Sequence, residues 1–521
     1  MGQLKDVNMR DIPDAVRLGC RTMQSVFNAD DDNIPFFQSQ VWPQVFLGPD
    51  PTYQESHVPG RHLDALLKSR DVLGAEVSEA AIENHRRAAF FSYSGPVPFP
   101  LNRERVGGPL IGFFDHNLRE GFHALHALVR YCDDDEAGRI AERSIEAVFD
   151  YWDPKRGWDT AHLEALGLKV RPARFIQGPA RAIGPLVKCY RATGHARALE
   201  LAVVLARKAL DDVFLPDGSF DPMRFAWHTH STTCTMSSLA QLADLLRDTA
   251  MMERVRVFYE NGLRTMRDEL GWVIEQYEPT PGWEDRGECN NTGDIIETAL
   301  VLGRWGYDEY YHDAERILRG HLLPSQLRDV SWISEPPNPQ GVDGLRNVAD
   351  RHRGAFGFPA PYGHHPIGVD VIQFCMDIVG GAVGSLCEAW REAVTSDDSG
   401  HHVNLLFDRE TDAVRVESPY TCGALGVTVR KSGPLWVRIP PWTPRESLRV
   451  TGAQCRPRWH GDRLLFAAPP VGERIRIEFP LVEQTITMHH RRRYIRVRLR
   501  GDEVVAMDNF GADLTFFPPM E

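Results

Sequence analysis

Up to about residue 394 the apolar residues of this chain recur at helical spacing, and Gly, Pro, Asp and Asn interrupt them. The pattern predicts twelve helices, near 10–28, 58–73, 77–94, 117–131, 135–152, 176–193, 195–213, 230–246, 249–269, 290–305, 307–322 and 371–394. Four consecutive pairs are joined by the short links CDDDEAG, ATGHA, RDTAM and WGYDE, which force the second helix to run back along the first. Six such hairpins are what an (α/α)6 toroid requires, with inner helices around a funnel and longer loops at one rim. An α-solenoid would also stack hairpins, but no self-similar motif recurs along the chain. The long Pro/Gly-rich loops 29–57, 94–116 and 323–369 fit a rim, and loops of that length in a compact domain are usually functional.

Beyond residue 395 the texture changes to short β-rich runs separated by turn residues, among them HHVNLLF, PLWVRIP, ERIRIEFP and YIRVRLR. About ten such strands read as an antiparallel β-sandwich. The expected organisation is mostly α: an (α/α)6 catalytic toroid over 1–394 and a β-sandwich domain over 395–521.

A length of 521 residues suits either two domains or one large toroid with an appendage. The net charge of −13 argues against nucleic acid, which is held through Lys and Arg on its phosphates. No apolar run reaches the ~20 residues of a membrane span, and the N-terminus has no stretch of signal-peptide length. The expectation is a cytoplasmic protein with no membrane partner, self-association being left open. Nine scattered cysteines without a CxxC pair suit reduced thiols and exclude a sequence-local zinc knuckle. The loops and motifs of nucleotide, dinucleotide, serine-hydrolase and HExxH zinc chemistry are absent.

The densest chemistry lies in GWEDRGECNNTGD (282–294) and the segment before it, with Glu275, Glu278, Glu284, Asp285, Glu288 and Cys289 ahead of a helix. Acids on a rim loop beside Trp272 and Trp283 suit glycoside hydrolysis, which needs two groups flanking the scissile bond. The competing explanation is helix capping, since acids and Asn at a helix start satisfy free N–H groups. In AWHTHSTTCTM (226–236), His228 and His230 stand two apart at a helix start beside Trp227. Residues two apart on a helix do not share a face, so a metal pair is not expected and His230 is taken as the inward one. The loop 351–377 carries His364, His365, Asp370 and Cys375, with Cys375 read by default as apolar filler. Arg181 sits on an otherwise apolar helix, where an arginine needs a partner or a cavity, which makes it a candidate for holding a substrate carboxylate or hydroxyl. His57, Arg61 and Asp64 precede or open the second helix and could equally form a structural ion pair.

The order of these motifs resembles the (α/α)6 glycosidases of the β-L-arabinofuranosidase type, glycoside hydrolase family 127 and relatives. HSTTCTMSSLAQLAD (230–244), ECNNTG (288–293), FCMDIVGGAVGSL (374–386) and HHVNLLF followed by LWVRIPPW carry the likeness. In that family a Glu-x-Cys and a Cys-Cys pair assemble a zinc–thiolate site, and one thiolate is the nucleophile. The resemblance matches Cys289 and Cys375 to one cysteine of each motif. It places Phe374 where the nucleophile would stand and Gly287 where the glutamate would. It therefore implies the toroid, and zinc only through an incomplete ligand set. Unsaturated glucuronyl hydrolases and the β-glucuronidases of glycoside hydrolase family 154 share the toroid and cleave uronic acids.

The leading expectation is an exo-acting glycoside hydrolase releasing a terminal sugar, a uronic acid being one candidate, from an oligosaccharide by carboxylate acid/base chemistry without a cofactor. Glu284 or Asp285 is expected as general acid and Glu288 or Glu278 as partner. His230, His228, Arg181, Trp227, Trp283, His364 and Asp370 are expected in the subsites. The alternatives are a zinc–thiolate hydrolase using Cys289 and Cys375, a lyase or sugar epimerase on the same toroid, and a sugar-binding protein without chemistry.

Overall fold

The computed structural model describes residues 2–489 and 493–521. Among these are sixteen helices, of which twelve build a ring. In chain order they are α1 Ile12–Met23, α2 Val58–Leu73, α3 Glu79–Ser92, α4 Leu118–Cys132, α5 Asp135–Tyr151, α6 Ile183–Thr193, α7 Ala196–Asp212, α8 Thr229–Leu246, α9 Thr249–Glu260, α10 Cys289–Arg304, α11 Glu309–Ile317 and α12 Met376–Ala393. The even-numbered helices pack side by side in a closed inner ring, α12 returning onto α2. Each odd-numbered helix from α3 to α11 backs the inner helix before it, and α1 closes the outer layer by packing on α12. The toroid is thus the expected one, with its sixth hairpin made from the two ends of the helical region.

The two layers are helical for different reasons. Outer helices carry one apolar stripe: α5 buries Ala137, Ile140, Ala141, Ser144, Ile145 and Val148, and Asp134 caps it by accepting from the N–H groups of Glu136 and Ala137. Inner helices are buried nearly all round. The first ten residues of α8, THSTTCTMSS, are mostly poor helix formers, yet every one is buried. Some of their hydroxyls bond back along the helix, Thr235 to the Ser231 carbonyl at 2.8 Å and Ser238 to that of Cys234 at 2.6 Å, while Thr233 and Ser237 reach Asp294 and Glu297 on α10.

One boundary differs from the expected helix 371–394 in a way that matters for the site. Ile372–Cys375 is a β-strand, paired antiparallel with Gln38–Trp42, and the helix begins only at Met376. Strand alternation sends Phe374 into the core, where its ring lies 5.7 Å from that of His352, and turns Cys375 to the opposite side.

Helix α12 passes directly into the strand Val394–Asp397. Two five-stranded sheets follow, between which Val403, Leu435, Val437 and Leu464 meet Val414, Val427, Ile475 and Ile477. All pairings in them are antiparallel except Gly400–Val403 with Leu435–Arg438, which is parallel. A third sheet, Glu483–His489, Tyr494–Arg500 and Glu503–Met507, sends Met488, Ile495, Val497 and Leu499 into the core of the toroid rather than that of the sandwich. No helix among the described residues is long and apolar enough to cross a membrane.

Candidate active site

The inner helices all run the same way, so their N-termini converge at one mouth of the ring. The residues at their N-cap positions are His57, Asn117, Ala182, His228, Glu288 and Cys375, and none caps its own helix with its side chain. Those of His57, His228, Glu288 and Cys375 line the mouth, which also receives the positive ends of six helix dipoles. A cavity of about 380 Å³ opens there. His57, His116, His228, His230, Glu275, Glu288, Cys375 and Asp377 give it polar walls, and Phe37, Tyr53, Phe114, Trp227 and Phe358 its apolar ones.

A larger cavity of about 540 Å³ lies at the opposite mouth. Its charges satisfy one another: Lys188 lies 2.8 Å from Asp64, Lys68 2.8 Å from Glu388, and Arg304 pairs with Glu392. Arginines in the last turns of inner helices also complement the negative dipole ends. The N-terminal mouth, where carboxyls and imidazoles face open space beside aromatic rings, is the better candidate for chemistry.

Beneath this mouth lies a buried charged floor. Glu120 is flanked by Arg119 and Arg181, each at 2.9 Å, and by Arg61 and His57, each at 3.4 Å. Burial opposes its charge, but Arg181, His57, Arg119 and Arg61 outweigh burial and hold its carboxyl well below the usual range. The same cations act on the histidines. Burial first, then Arg61, Arg119 and Arg181, hold His230 well below its usual value, and burial with Arg181 does so for His116. Both imidazoles are neutral at physiological pH. His116 Nδ1 donates to the Gln177 carbonyl at 2.7 Å, which leaves a lone pair on Nε2.

The three carboxyls of the cavity differ. Burial pushes Glu275 up, and the charge of Glu288 adds to it, against the lowering by Arg286, whose Nε lies 2.5 Å from Glu275 Oε2. For Asp377 burial is outweighed by His57 and Arg61, and the carboxyl lies below its usual range. Glu288 accepts from Asn290 Nδ2 at 2.9 Å and faces His228 and His230. The Cys375 thiol is driven well above its usual value, first by burial and then by the charge of Asp377, with Glu275 and Glu288 adding, so it stays protonated.

Of the expected acids, Glu288 alone lines the cavity. Asp285 is buried elsewhere, accepting from the Tyr362 hydroxyl at 2.6 Å and pairing with Arg493 at 3.2 Å. Glu278 is exposed, and Glu284 is half-buried outside the cavity. The turn carrying these acids aims Arg286 inward instead, clamped between Trp283 at 4.3 Å and Phe358 at 3.9 Å. Trp283 therefore supports Arg286 and is not among the residues that line the cavity. Arg181 is fully buried, its fork taken by Glu120 and the His116 carbonyl, so it cannot hold a substrate. His364 packs edge-on against Phe516 in the core, where burial lowers it to about 3, and Asp370 is exposed away from the cavity. Trp227, His228 and His230 do line it. The two histidines share the cavity because His228 is the N-cap, outside the helical geometry that would turn residues two apart from each other.

Sequence reasoning did not single out His116 or Asp377, and it named Glu275 and His57 without a role in the site. One signal was available for His57: once the inner helices are placed, it is the residue before α2, at the mouth.

A zinc–thiolate site does not assemble. Cys289 is buried beside Ser325, its thiol pushed up to about 12 by burial, and does not reach the cavity that Cys375 lines. Phe374, matched to the nucleophile position, faces the core, and the thiol in the cavity is Cys375. Among the described residues two other groups have metal-sized spacing, His228/His230/Glu288 and His230/Cys234/Asp294. Both need His230, whose Nε2 lies 2.8 Å from Arg61 Nη2.

No protein-family model matches the sequence, and no curated protein does. Among solved structures the chain is similar to a family 127 β-L-arabinofuranosidase from Geobacillus stearothermophilus T6, with a TM-score of 0.60 at 12% identity over 96% of this chain and 86% of that one. The fold is that of the six-hairpin glycosidases. An unsaturated glucuronyl hydrolase specific for heparin shares the six-hairpin toroid, with a TM-score of 0.51 at 10% identity over 73% of this chain and 96% of that one. A sugar epimerase from a ruminal bacterium is similar with a TM-score of 0.51 at 11% identity, over 73% of this chain and 99% of that one. At these identities the likeness is one of six-hairpin fold, and the site has to be read from its own residues.

Proposed function

We propose that the chain is an exo-acting glycoside hydrolase that removes a terminal neutral sugar, with Glu275 as general acid and Asp377 as its carboxylate partner. The observation that carries the reading is the opposite displacement of these two carboxyls in one cavity. Glu275 is raised toward the protonated form and Asp377 is held ionised. Such a split assigns acid and base roles. Glu275 gives its proton to the leaving oxygen as the glycosidic bond breaks, the Asp377 carboxylate meets the positive charge that develops on the sugar ring, and a water adds to the anomeric carbon and returns a proton to Glu275.

A neutral sugar follows from the lining. Three carboxyls and no lysine or arginine line the cavity among the described residues. A uronate would meet the ionised Asp377 with no lysine or arginine in the lining to receive it. Half-exposed Trp227 offers a face for the apolar side of a pyranose or furanose ring. The Arg61–His230–Glu120 layer closes the floor, which suits the end of a chain rather than its middle.

The test is a panel of chromogenic glycosides, neutral and uronic, with the wild type, Glu275→Gln and Asp377→Asn. Cleavage of a neutral glycoside that collapses in both variants supports the reading. Cleavage of uronides alone, or full activity in both folded variants, contradicts it.

A second reading rests on His116. Its neutral imidazole, with the lone pair on Nε2, stands 5.5 Å ring to ring from His228, and the pair could move a proton beside the carbonyl of an open-chain sugar, as an epimerase requires. Deuterium uptake by a free sugar in heavy water, without glycoside cleavage, selects this reading.

A further inference from the structure

We propose that Arg61 keeps the His228–His230–Glu288 cage free of metal by holding His230 in the tautomer that points an N–H, not a lone pair, into the cage. The cage itself is the right size. His228 Nε2 lies 3.8 Å from Glu288 Oε2 and His230 Nδ1 lies 3.7 Å from Glu288 Oε1. The three ligand atoms lie within 4.8 Å of one another, and ligands about 2.0 Å from a tetrahedral ion stand little more than 3 Å apart, so the cage would hold an ion on contracting. His228 is already oriented, its Nδ1 2.9 Å from the Ser231 hydroxyl and its Nε2 toward the glutamate.

His230 is what fails. A guanidinium has five N–H donors and no acceptor, so the nitrogen 2.8 Å from Arg61 Nη2 must supply the lone pair. That nitrogen is Nε2. In the neutral ring the hydrogen then sits on Nδ1, the atom that faces Glu288, and a nitrogen bearing hydrogen cannot ligate. The second group, with Cys234 and Asp294, fails at the same atom, because Arg61 already occupies the Nε2 lone pair. The arginine also brings a fixed positive charge to a place where a second cation would be repelled.

The fold makes room for this arginine. Its Nε lies 3.4 Å from Glu120, Gly380 on α12 lets its backbone approach, and Gly381 leaves the slot for its head. A Cβ at Gly381 would stand 3.0 Å from Arg61 Nη1 and 2.0 Å from Asn290 Oδ1. Without Arg61 the ring would have another partner. Asp294 Oδ2 lies 3.5 Å from His230 Nε2 and could accept its hydrogen. The lone pair would move to Nδ1, completing the carboxylate–histidine–metal arrangement in which an outer acceptor orients a ligating imidazole. Arg61 is therefore a positioning residue that works through His230.

Two measurements test this, and neither reads turnover, so their outcome is independent of the proposed reaction. Long-range proton–nitrogen correlation spectra of the wild type, with His230 assigned through His230→Asn, should show a neutral ring protonated at Nδ1. Titration with Co²⁺ alone, followed by its visible absorption, should show no specific site in the wild type. Arg61→Met should gain one Co²⁺ site, about 10²-fold tighter than the nonspecific association of the wild type, lost again when His228→Ala is added. A wild type protonated at Nε2, or one binding an equivalent of Co²⁺ with tetrahedral bands, overturns the proposal. So does a folded Arg61→Met protein with no gain. If Arg61→Met does not fold, the tautomer in the wild type decides.

Discussion

His57 Nε2 and Asp377 Oδ2 face each other across 3.4 Å, while His57 Nδ1 lies 3.1 Å from Asn117 Oδ1. Asn117 uses its NH₂ on the Thr52 carbonyl at 2.9 Å and on Ser56 Oγ at 2.8 Å, which fixes its oxygen toward His57 and makes Nδ1 the donor. His57 Nε2 is thereby aimed at the Asp377 carboxylate. His57→Phe removes the group that most opposes burial in keeping Asp377 low. Asp377 acts as the ionised form, so its loss moves the acid limb of kcat/KM to higher pH. An unmoved acid limb in the folded variant would show that His57 does not set the charge of Asp377.

Glu275→Gln removes the acid while leaving shape and most packing intact. Turnover of glycosides with poor leaving groups should fall by about 10² to 10⁴. Substrates whose leaving group needs no proton should fall much less. Equal losses across the leaving-group series, in steady-state kinetics, would assign Glu275 to binding.

Glu278 and Glu284 lie outside the cavity despite the density of acid around them. Glu278→Ala and Glu284→Ala should keep activity within about twofold, as expected of substitutions away from buried features. A loss of orders of magnitude in either would return the acid role to this turn.

The toroid and sandwich are joined through Glu315, which is fully buried. It receives Arg319 at 2.9 Å, pairs with Arg438 of the sandwich, and accepts from the Leu406 N–H at 2.9 Å. Glu315→Ala leaves two buried guanidiniums without their anion, a change of about 3–5 kcal/mol in unfolding free energy. Denaturant midpoints read it, and a change below about 1 kcal/mol would mean that the two parts are held by their apolar contacts alone.

Buried histidines set the acid side of stability. Burial lowers His62 and His352 to about 4, and His321 and His364 to about 3. Below the unfolded value of about 6.5 the unfolded chain binds protons that these folded rings refuse. Stability should fall as pH drops from about 6.5 toward 4, at up to about 1.4 kcal/mol per pH unit for each ring. Thermal midpoints that hold steady from pH 7 to about pH 4.5 would contradict this.

Much of the ring was legible in the sequence because each helix carries its own signal: an apolar period, a capping residue such as Asp134, and a glycine such as Gly74 with φ 61° at the end of α2. The packing of α1 on α12 was not, since it joins residues more than 350 positions apart with no local mark. The site was legible in part. The crowded acids at 284–288 and the histidines 228 and 230 drew attention for their composition, yet composition gives no direction. Asp285 points to Tyr362, Arg286 points inward, and Glu275, thirteen residues before Glu288, meets it only through the bridge that pairs Ile274 with Gly287. Phe374 and Cys375 exchanged their expected places because a four-residue strand, too short to announce itself inside a helical pattern, precedes α12.

The most direct test of the carboxyl pair is the pH dependence of kcat/KM on a cleaved neutral glycoside for the wild type, Glu275→Gln and Asp377→Asn. The wild type should give a bell, its acid limb belonging to the lowered Asp377 and its alkaline limb to the raised Glu275. Residual activity should lose the alkaline limb in Glu275→Gln and the acid limb in Asp377→Asn. Both limbs persisting unchanged in both variants would mean that other groups perform the reaction.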